Sequence, residues 1–173
     1  MTTKDTKEQK FDSETSDEIT LSSGVTLKIK AVPPFVMMRA MTRHPRPKVP
    51  EHFFEQLGRS MPNPQDPSYI DEVEAWEAKN TQTMSNYMVL YGTEVSKLPK
   101  GMGGPDGEDW INMLIALGEE VFADQKDWRY LTWAQTTAMV TAEDFTEVLT
   151  AITRLSGVAE VDVEAAATFP GSS

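Results

Sequence analysis

The chain contains no cysteine, and this absence excludes several classes of site at once. Without thiols there can be no disulfide framework, no cysteine nucleophile and no zinc site with cysteine ligands. Long hydrophobic runs are also missing. No stretch of about 18 apolar residues occurs, and the N-terminal sequence MTTKDTKEQKFDSETSDE lacks the apolar segment of a signal peptide. These absences predict a cytoplasmic protein that does not enter a membrane.

Histidine is scarce as well, since His44 and His52 are the only two. His52 with Glu51 and Glu55 is a loose set of the surface type, and the HExxH zinc motif is absent. The glycine-rich stretch GMGGPDGED breaks the GxGxxG phosphate-binding pattern, and no GxSxG nucleophile motif occurs. We therefore expect no catalytic residue, no metal ligand and no cofactor, and a protein that is not an enzyme.

Positive charge is in short supply, because the net charge is −11. This balance argues against nucleic acid as a partner, since phosphate binding draws on clustered Lys and Arg. Residues 28–59 nevertheless hold seven cations against two carboxylates, a net of +5, which leaves −16 for the remainder. Such polarity suits docking to a protein of opposite pattern or head-to-tail self-association. A plain solvated surface accounts for it equally well.

What is present is the composition of a globular protein. The chain has 173 residues, 39% of them hydrophobic, which is enough for one core of ordinary size. Residues 1–17 are charged and polar and are predicted to be a disordered arm. Residues 18–169 are predicted to form a single α+β domain, dominated by helices, in which a small N-terminal β-hairpin or sheet precedes a bundle of about five helices. Residues 170–173 are predicted to be a solvated tail.

Alternating apolar residues predict a β-hairpin near the N-terminus. A turn at residues 22–24 separates the two strands, and the predicted inward-facing residues are Ile19, Leu21, Val25, Leu27, Ile29 and Ala31. Residues 51–58, EHFFEQLG, fit a strand or a helix. Their two phenylalanines and the bounding proline and glycine favour a short strand beside the hairpin. Another short extended stretch is predicted within residues 93–100.

The helical period of apolar residues predicts helices at 34–43, 67–92, 108–118, 127–139 and 142–157, followed by a short one at 159–169. Asp66 and Thr141 are the predicted N-caps of the second and fifth helices, and Asp124 or Asp127 that of the fourth. Asn80 lies within the apolar stripe of the longest helix, either as a satisfied core amide or as a residue that sets the register of a helix contact. The helix at 159–169 is too short to persist alone and must dock on something.

Met37, Met38 and Met41 are the candidate partner-binding residues. They lie in PFVMMRAMTR, a helix that is apolar nearly all round and therefore has to be covered on more than one side. Two interpretations are open. The helix is buried between the hairpin and the long helix, or part of it is an adaptable binding face, because unbranched thioethers repack against varied partners.

Six segments of the chain, in their order and spacing, resemble the small tail assembly chaperones of long-tailed (siphovirus-type) bacteriophages over residues 19–171. These segments are TLSSGVTLKIKAVPP, RPKVPEHFFEQLGRSMPNPQDPSYIDEVEAWEAK, VLYGTEVSKLPKG, EDWINMLIALGEEV, RYLTWAQ and RLSGVAEVDVEAAATFPG. The resemblance implies a non-enzymatic helper in the host cytoplasm, absent from the mature virion. Such a helper binds the tape-measure protein and helps recruit tail-tube subunits.

The resemblance also implies a use for the last short helix, as the junction to a longer form made by a ribosomal slip. A competing interpretation is a structural tail or head-tail connector subunit that is retained in the virion.

Overall fold

A computed structural model describes residues 17–119 and 123–157 of the chain. Within these ranges the strands are β1 (Asp17–Thr20), β2 (Thr26–Ile29), β3 (Glu51–Phe54), β4 (Arg59–Pro62) and β5 (Thr93–Lys97). The helices are α1 (Pro34–Met41), α2 (Pro67–Gly92), α3 (Glu108–Ala116), α4 (Lys126–Trp133) and α5 (Ala142–Leu155). The predicted class is confirmed: the fold is α+β, with a small antiparallel sheet in the N-terminal region and five helices in the part of the chain that the structure describes.

The predicted hairpin forms two strands of a three-stranded sheet in the order β1-β2-β5. Ile19 pairs with Leu27 across the hairpin, and Gly24 turns the chain with a φ of 83°. Most of the predicted inward-facing residues are buried, but Ala31 is exposed. The alternation ends there because β2 ends at Ile29, and Val32 takes the next buried position.

Residues 51–54 do form a strand, as the sequence favoured, but its predicted position beside the first hairpin is wrong. β3 pairs with β4 in a separate two-stranded sheet, with Phe54 opposite Arg59. A single 3₁₀ turn (Glu55–Leu57) and Gly58, whose φ is 58°, reverse the chain between them. The partner strand therefore comes from the next few residues, which the sequence had not shown to be extended.

Local capping chemistry was predicted well at two helices and poorly at a third. The Asp66 carboxylate accepts hydrogen bonds from the backbone of Ser68 and Tyr69, and Thr141 and Asp144 form a complete capping box on α5. The cap predicted for the fourth helix is wrong. Helix α4 begins after Gln125, whose side chain makes no capping hydrogen bond. Asp127 cannot be the N-cap because it lies inside the first turn of the helix.

The core lies where the first sheet meets α4, α5 and the end of α2. Its fully buried larger side chains are Trp133, Leu27, Ile29, Leu114, Leu131, Ile152, Val25, Val32, Val89 and Val148. Gly92 allows the end of α2 to lie close to α5, since a Cβ at this position would lie 2.8 Å from the Ile152 side chain. Only Met88, Val89 and Gly92 of α2 are buried, so most of this long helix runs along the surface.

Long-range polar contacts join the sheet to α5. The Asp144 carboxylate accepts hydrogen bonds from the backbone and hydroxyl of Ser22, and the Ser156 hydroxyl accepts one from the Val32 backbone at 2.9 Å. Arg154 pairs with Asp17. Asp17, which the composition assigned to the arm, is therefore the first residue of β1. The other predictions for residues 1–16 and 158–173, including the short helix at 159–169 and the tail, lie outside the described residues.

Candidate functional site

The two sides of α1 have opposite environments. On one side Ala40 is fully buried, and Val36 and Met37 pack against the core. On the other side, Phe35, Met38 and Met41 are 66%, 55% and 55% exposed. These three residues, spaced at helical intervals, are called the α1 face below. Burial therefore holds for one side of this helix, and the binding face stays a prediction for the other.

Of the three predicted partner-binding residues, the structure therefore separates one from the other two. Met37 is half-buried on the core side, whereas Met38 and Met41 lie on the α1 face. Phe35 was missed as a site residue, although its spacing from Met38 was visible in the sequence. Arg39 is exposed next to Met38, so the surface beside the α1 face is basic.

The proline-rich segment after α1 is held against α2. The Trp76 indole donates to the His44 carbonyl at 2.9 Å, and a His44 ring nitrogen lies 3.0 Å from the Thr83 hydroxyl. Arg43 donates to the Tyr87 hydroxyl. Desolvation, reinforced by the positive charges of Lys79 and Arg43, lowers the pKa of His44. The lowered pKa favours the neutral form of the His44 ring.

Trp76 is not a fully buried core side chain. It is half-buried, and the Arg46 guanidinium lies over its ring at 5.8 Å from the centroid. Its role is to fasten the segment after α1 to the long helix. These contacts tie the C-terminal end of α1 to α2.

A groove between α2 and α4 was not predicted from the sequence. Its volume is about 400 Å³, and its lining includes Arg43, Tyr87, Tyr91 and Trp128. The Tyr87 and Tyr91 rings stack with centroids 6.0 Å apart. Their four-residue spacing places both tyrosines on one side of α2. Arg43, which lines the groove, lies two residues beyond Met41 in the chain.

Asn80 is not the fully satisfied core amide that was one of its two predicted roles, and the other role, setting the register of a helix contact, stays a prediction. Its residue is half-buried, and its side-chain oxygen is buried without a hydrogen-bond partner among the described residues. Nothing in the structure explains why an amide stands here.

Neither histidine belongs to a cluster with metal-binding geometry in the described part of the chain. No group of three His, Asp or Glu side chains that could hold a metal ion occurs there, and the ring of His52 packs edge-on against Phe54. None of the helices in residues 17–119 and 123–157 combines the length and apolar character needed to cross a membrane.

Comparisons with known proteins found no matching protein family, no similar curated protein and no similar solved structure.

Proposed function

We propose that the protein is a tail assembly chaperone of a long-tailed bacteriophage. In this role it acts in the host cytoplasm without catalysing a reaction and is absent from the mature virion. It binds the tape-measure protein and helps recruit tail-tube subunits. The resemblance of the sequence over residues 19–171 supports the identity of the partners, and the α1 face supplies a surface that suits the first of them.

The observation that carries the proposal is the exposure of three large apolar side chains on one side of an anchored helix. Phe35, Met38 and Met41 are each more than half exposed, although the opposite side of α1 is packed in the core. Apolar clusters of this kind mark interaction sites on soluble proteins, and a helix carrying such a cluster packs well against a second amphipathic helix.

The chemistry of the α1 face suits a long, repetitive helical partner. Two of its three side chains are methionines, whose unbranched chains adjust to different neighbouring side chains. A chaperone that engages successive stretches of one apolar stripe needs this tolerance. Arg39 beside the face, and Arg43 after it, add attraction for carboxylates that flank such a stripe.

Co-expression with a tape-measure fragment tests the proposal. The protein should raise the soluble fraction of the fragment, and the double variant Met38→Asp/Met41→Asp should lose this effect while retaining its circular dichroism spectrum. Burying an unpaired charge at an apolar contact costs several kcal/mol. Met113→Asp is the matched control, because Met113 is 46% exposed on α3, and it should behave as the unaltered protein. Full activity of the double variant would contradict the role of the α1 face.

The location of the protein separates the chaperone from a structural subunit. Mass spectrometry should detect the chain in lysates of infected cells and not in purified particles. Stoichiometric recovery from particles would refute the chaperone proposal in favour of a tail or connector subunit.

A further inference from the structure

The groove between α2 and α4, which has no part in the proposed function, is lined by aromatic side chains. Tyr87 and Tyr91 lie one turn apart on α2 and stack on each other, and Trp128 contributes from α4. Tyr91 is 52% exposed and Trp128 is 41% exposed, so much of this aromatic surface is open to solvent. We call this site the α2–α4 groove.

The two helices that form the groove run antiparallel. The Tyr130 hydroxyl of α4 lies 2.6 Å from the hydroxyl of Thr93, which follows the end of α2. Beyond the end of α4, the Gln135 amide donates to the Asn86 side chain at 3.0 Å. The chain after Tyr130 therefore passes back along α2 towards its N-terminus. Gln135 belongs to a π-helical turn (Ala134–Ala138), a rare geometry that is frequent at functional sites.

This direction places opposite charges at the two ends of the groove. Asp127 lies in the first turn of α4 and therefore at the end of the groove near Tyr91. Arg43 donates to the Tyr87 hydroxyl at 3.0 Å and lies at the other end. Both charged side chains are exposed. A ligand of complementary charge carries a cation at one end and a carboxylate at the other.

The shape of the groove determines which kind of segment fits. A helix is about 10–12 Å across, too wide for a groove of about 400 Å³. Both walls are helices, whose backbone groups bond within the helix, so no strand edge is available for pairing. A polyproline II segment needs no such edge, and proline-rich segments dock in aromatic-lined grooves. From Thr83 to Tyr91 the groove is about 12 Å long, which about four residues of polyproline II span.

We propose that the α2–α4 groove binds a proline-rich segment of another protein in the polyproline II conformation. A Lys or Arg side chain of that segment lies beside Asp127, a carboxylate lies beside Arg43, and the proline rings between them pack on Tyr91 and Trp128. The site is separate from the α1 face. The inference goes beyond the proposed function and does not depend on it.

The proline-rich segment of the chain itself, residues 45–50, does not match this site. The His44 carbonyl accepts a hydrogen bond from Trp76, and the Arg46 guanidinium lies over the same indole. The segment therefore follows α2 towards its N-terminus, away from the groove. It also carries cations and no carboxylate that could face Arg43.

Fluorescence anisotropy of a labelled peptide with the full-length protein tests the proposal. The probe is Glu-Pro-Pro-Pro-Pro-Arg, used together with its reversed sequence because a segment can lie in the groove in either direction. One of the two should bind saturably. Its affinity should exceed that of Glu-Gly-Ser-Gly-Ser-Arg about tenfold, because the control peptide has the same charges without the preformed polyproline II conformation.

Two substitutions in α2 locate the binding site. Tyr91→Ala should weaken binding of the probe about tenfold and leave the circular dichroism spectrum unchanged, because Tyr91 is an exposed aromatic side chain of the groove. Tyr69→Ala is the matched control, since Tyr69 lies in the first turn of the same helix and outside the groove. Its affinity for the probe should equal that of the unaltered protein.

A charge test identifies the end of the groove that holds the cation. Asp127→Asn should weaken binding about two- to fivefold, the size expected of an exposed ion pair. The loss should disappear when Gln replaces Arg in the probe. Asp109→Asn is the control, because Asp109 is an exposed carboxylate in the first turn of α3 and does not line the groove.

Three results would overturn the proposal. Equal affinity for the proline and glycine-serine peptides would show that the groove does not select polyproline II. Unchanged affinity of Tyr91→Ala for the probe would place binding elsewhere. Sedimentation of the unaltered protein that depends on concentration, and no longer does so in Tyr91→Ala, would show that a second copy of the chain occupies the groove.

Discussion

At the scale of single residues, Asp144 is the clearest case of one side chain with two roles. It completes the capping box of α5 with Thr141, and it accepts two hydrogen bonds from Ser22 in the turn of the first hairpin. Burial alone would raise the pKa of Asp144, but the hydrogen bonds from Ser22 and Thr141 more than offset burial and lower it. The capping role was predictable from the sequence, whereas the contact with a residue so distant in the chain was not.

The lowered pKa of Asp144 fixes how its contribution to stability depends on pH. Folding favours the charged carboxylate, so the contribution is complete above the unfolded pKa of about 3.9 and is lost as the pH falls through the lower folded value. At pH 7, Asp144→Asn should reduce the free energy of unfolding by about 1–3 kcal/mol, because buried charge-assisted hydrogen bonds are replaced. The difference between variant and unaltered protein should shrink towards zero below pH 4.

Urea denaturation at several pH values provides the measurement, with Glu143→Gln as the control. Glu143 is exposed in the same first turn and acts only through the helix dipole, so its replacement should cost less than about 1 kcal/mol. An Asp144→Asn deficit that stays constant from pH 7 to pH 3 would show that the hydrogen bonds of the charged form are not responsible.

At the scale of elements, the sequence predicted most strongly those features that depend on neighbouring residues. The start of α2 at Pro67 and of α5 at Ala142, and the end of α2 at Gly92, follow from caps and breakers within a few positions. Which side of a helix is exposed does not follow from such local signals, because it depends on which other elements pack against the helix. Helix α1 is apolar on both sides, and only packing decides that Met37 lies against the core and Met38 does not.

The hairpin of β3 and β4 shows the same limit. Its two phenylalanines favoured a strand beside the first hairpin, yet β3 lies in a separate sheet and all four of its residues are exposed, among them Phe53 and Phe54. Its partner strand β4, RSMP, has no alternating apolar pattern that would have identified it. A two-stranded hairpin of this size is only marginally stable by itself. The hairpin therefore contributes little to the stability of the fold.

Replacing residues 51–62 with a short Gly-Ser linker tests this statement. The free energy of unfolding should change by less than about 1 kcal/mol, because loop-closure entropy varies slowly with loop length. Leu27→Ala in β2 is the comparison, since Leu27 is fully buried and its truncation should cost about 2–5 kcal/mol. If urea denaturation shows losses of similar size for the two variants, the hairpin is part of the cooperative fold.

At the scale of the whole molecule, the described fold is closed by contacts between its first and last elements. Asp17 in β1 pairs with Arg154 in α5, and Ser22 in the following turn bonds to Asp144. The first sheet and α5 therefore stabilise each other, although more than a hundred residues separate them in the sequence. Stability should respond sharply to the loss of β1 and weakly to the loss of residues that precede it.

Two N-terminal truncations distinguish these contributions. Removal of residues 2–15 leaves Asp17 and the register of β1 intact, and its polar composition predicts that it contributes no apolar surface. The melting temperature should stay within about 2 °C, as expected for changes away from packed residues. Removal of residues 2–20 deletes β1, which leaves Leu27 without its cross-strand neighbour Ile19 and Arg154 without Asp17.

The longer truncation should lower the melting temperature by about 6–12 °C, because a loss of about 3 kcal/mol corresponds to roughly 2–4 °C per kcal/mol in a chain of this length. Thermal scans followed by circular dichroism and by tryptophan fluorescence should shift together, since Trp133 and the sheet share one core. A large shift already on removal of residues 2–15 would show that the N-terminal segment packs on the body. Equal stability of the two truncations would show that β1 is dispensable and that the contacts of Asp17 and Ile19 do not join the sheet to α5.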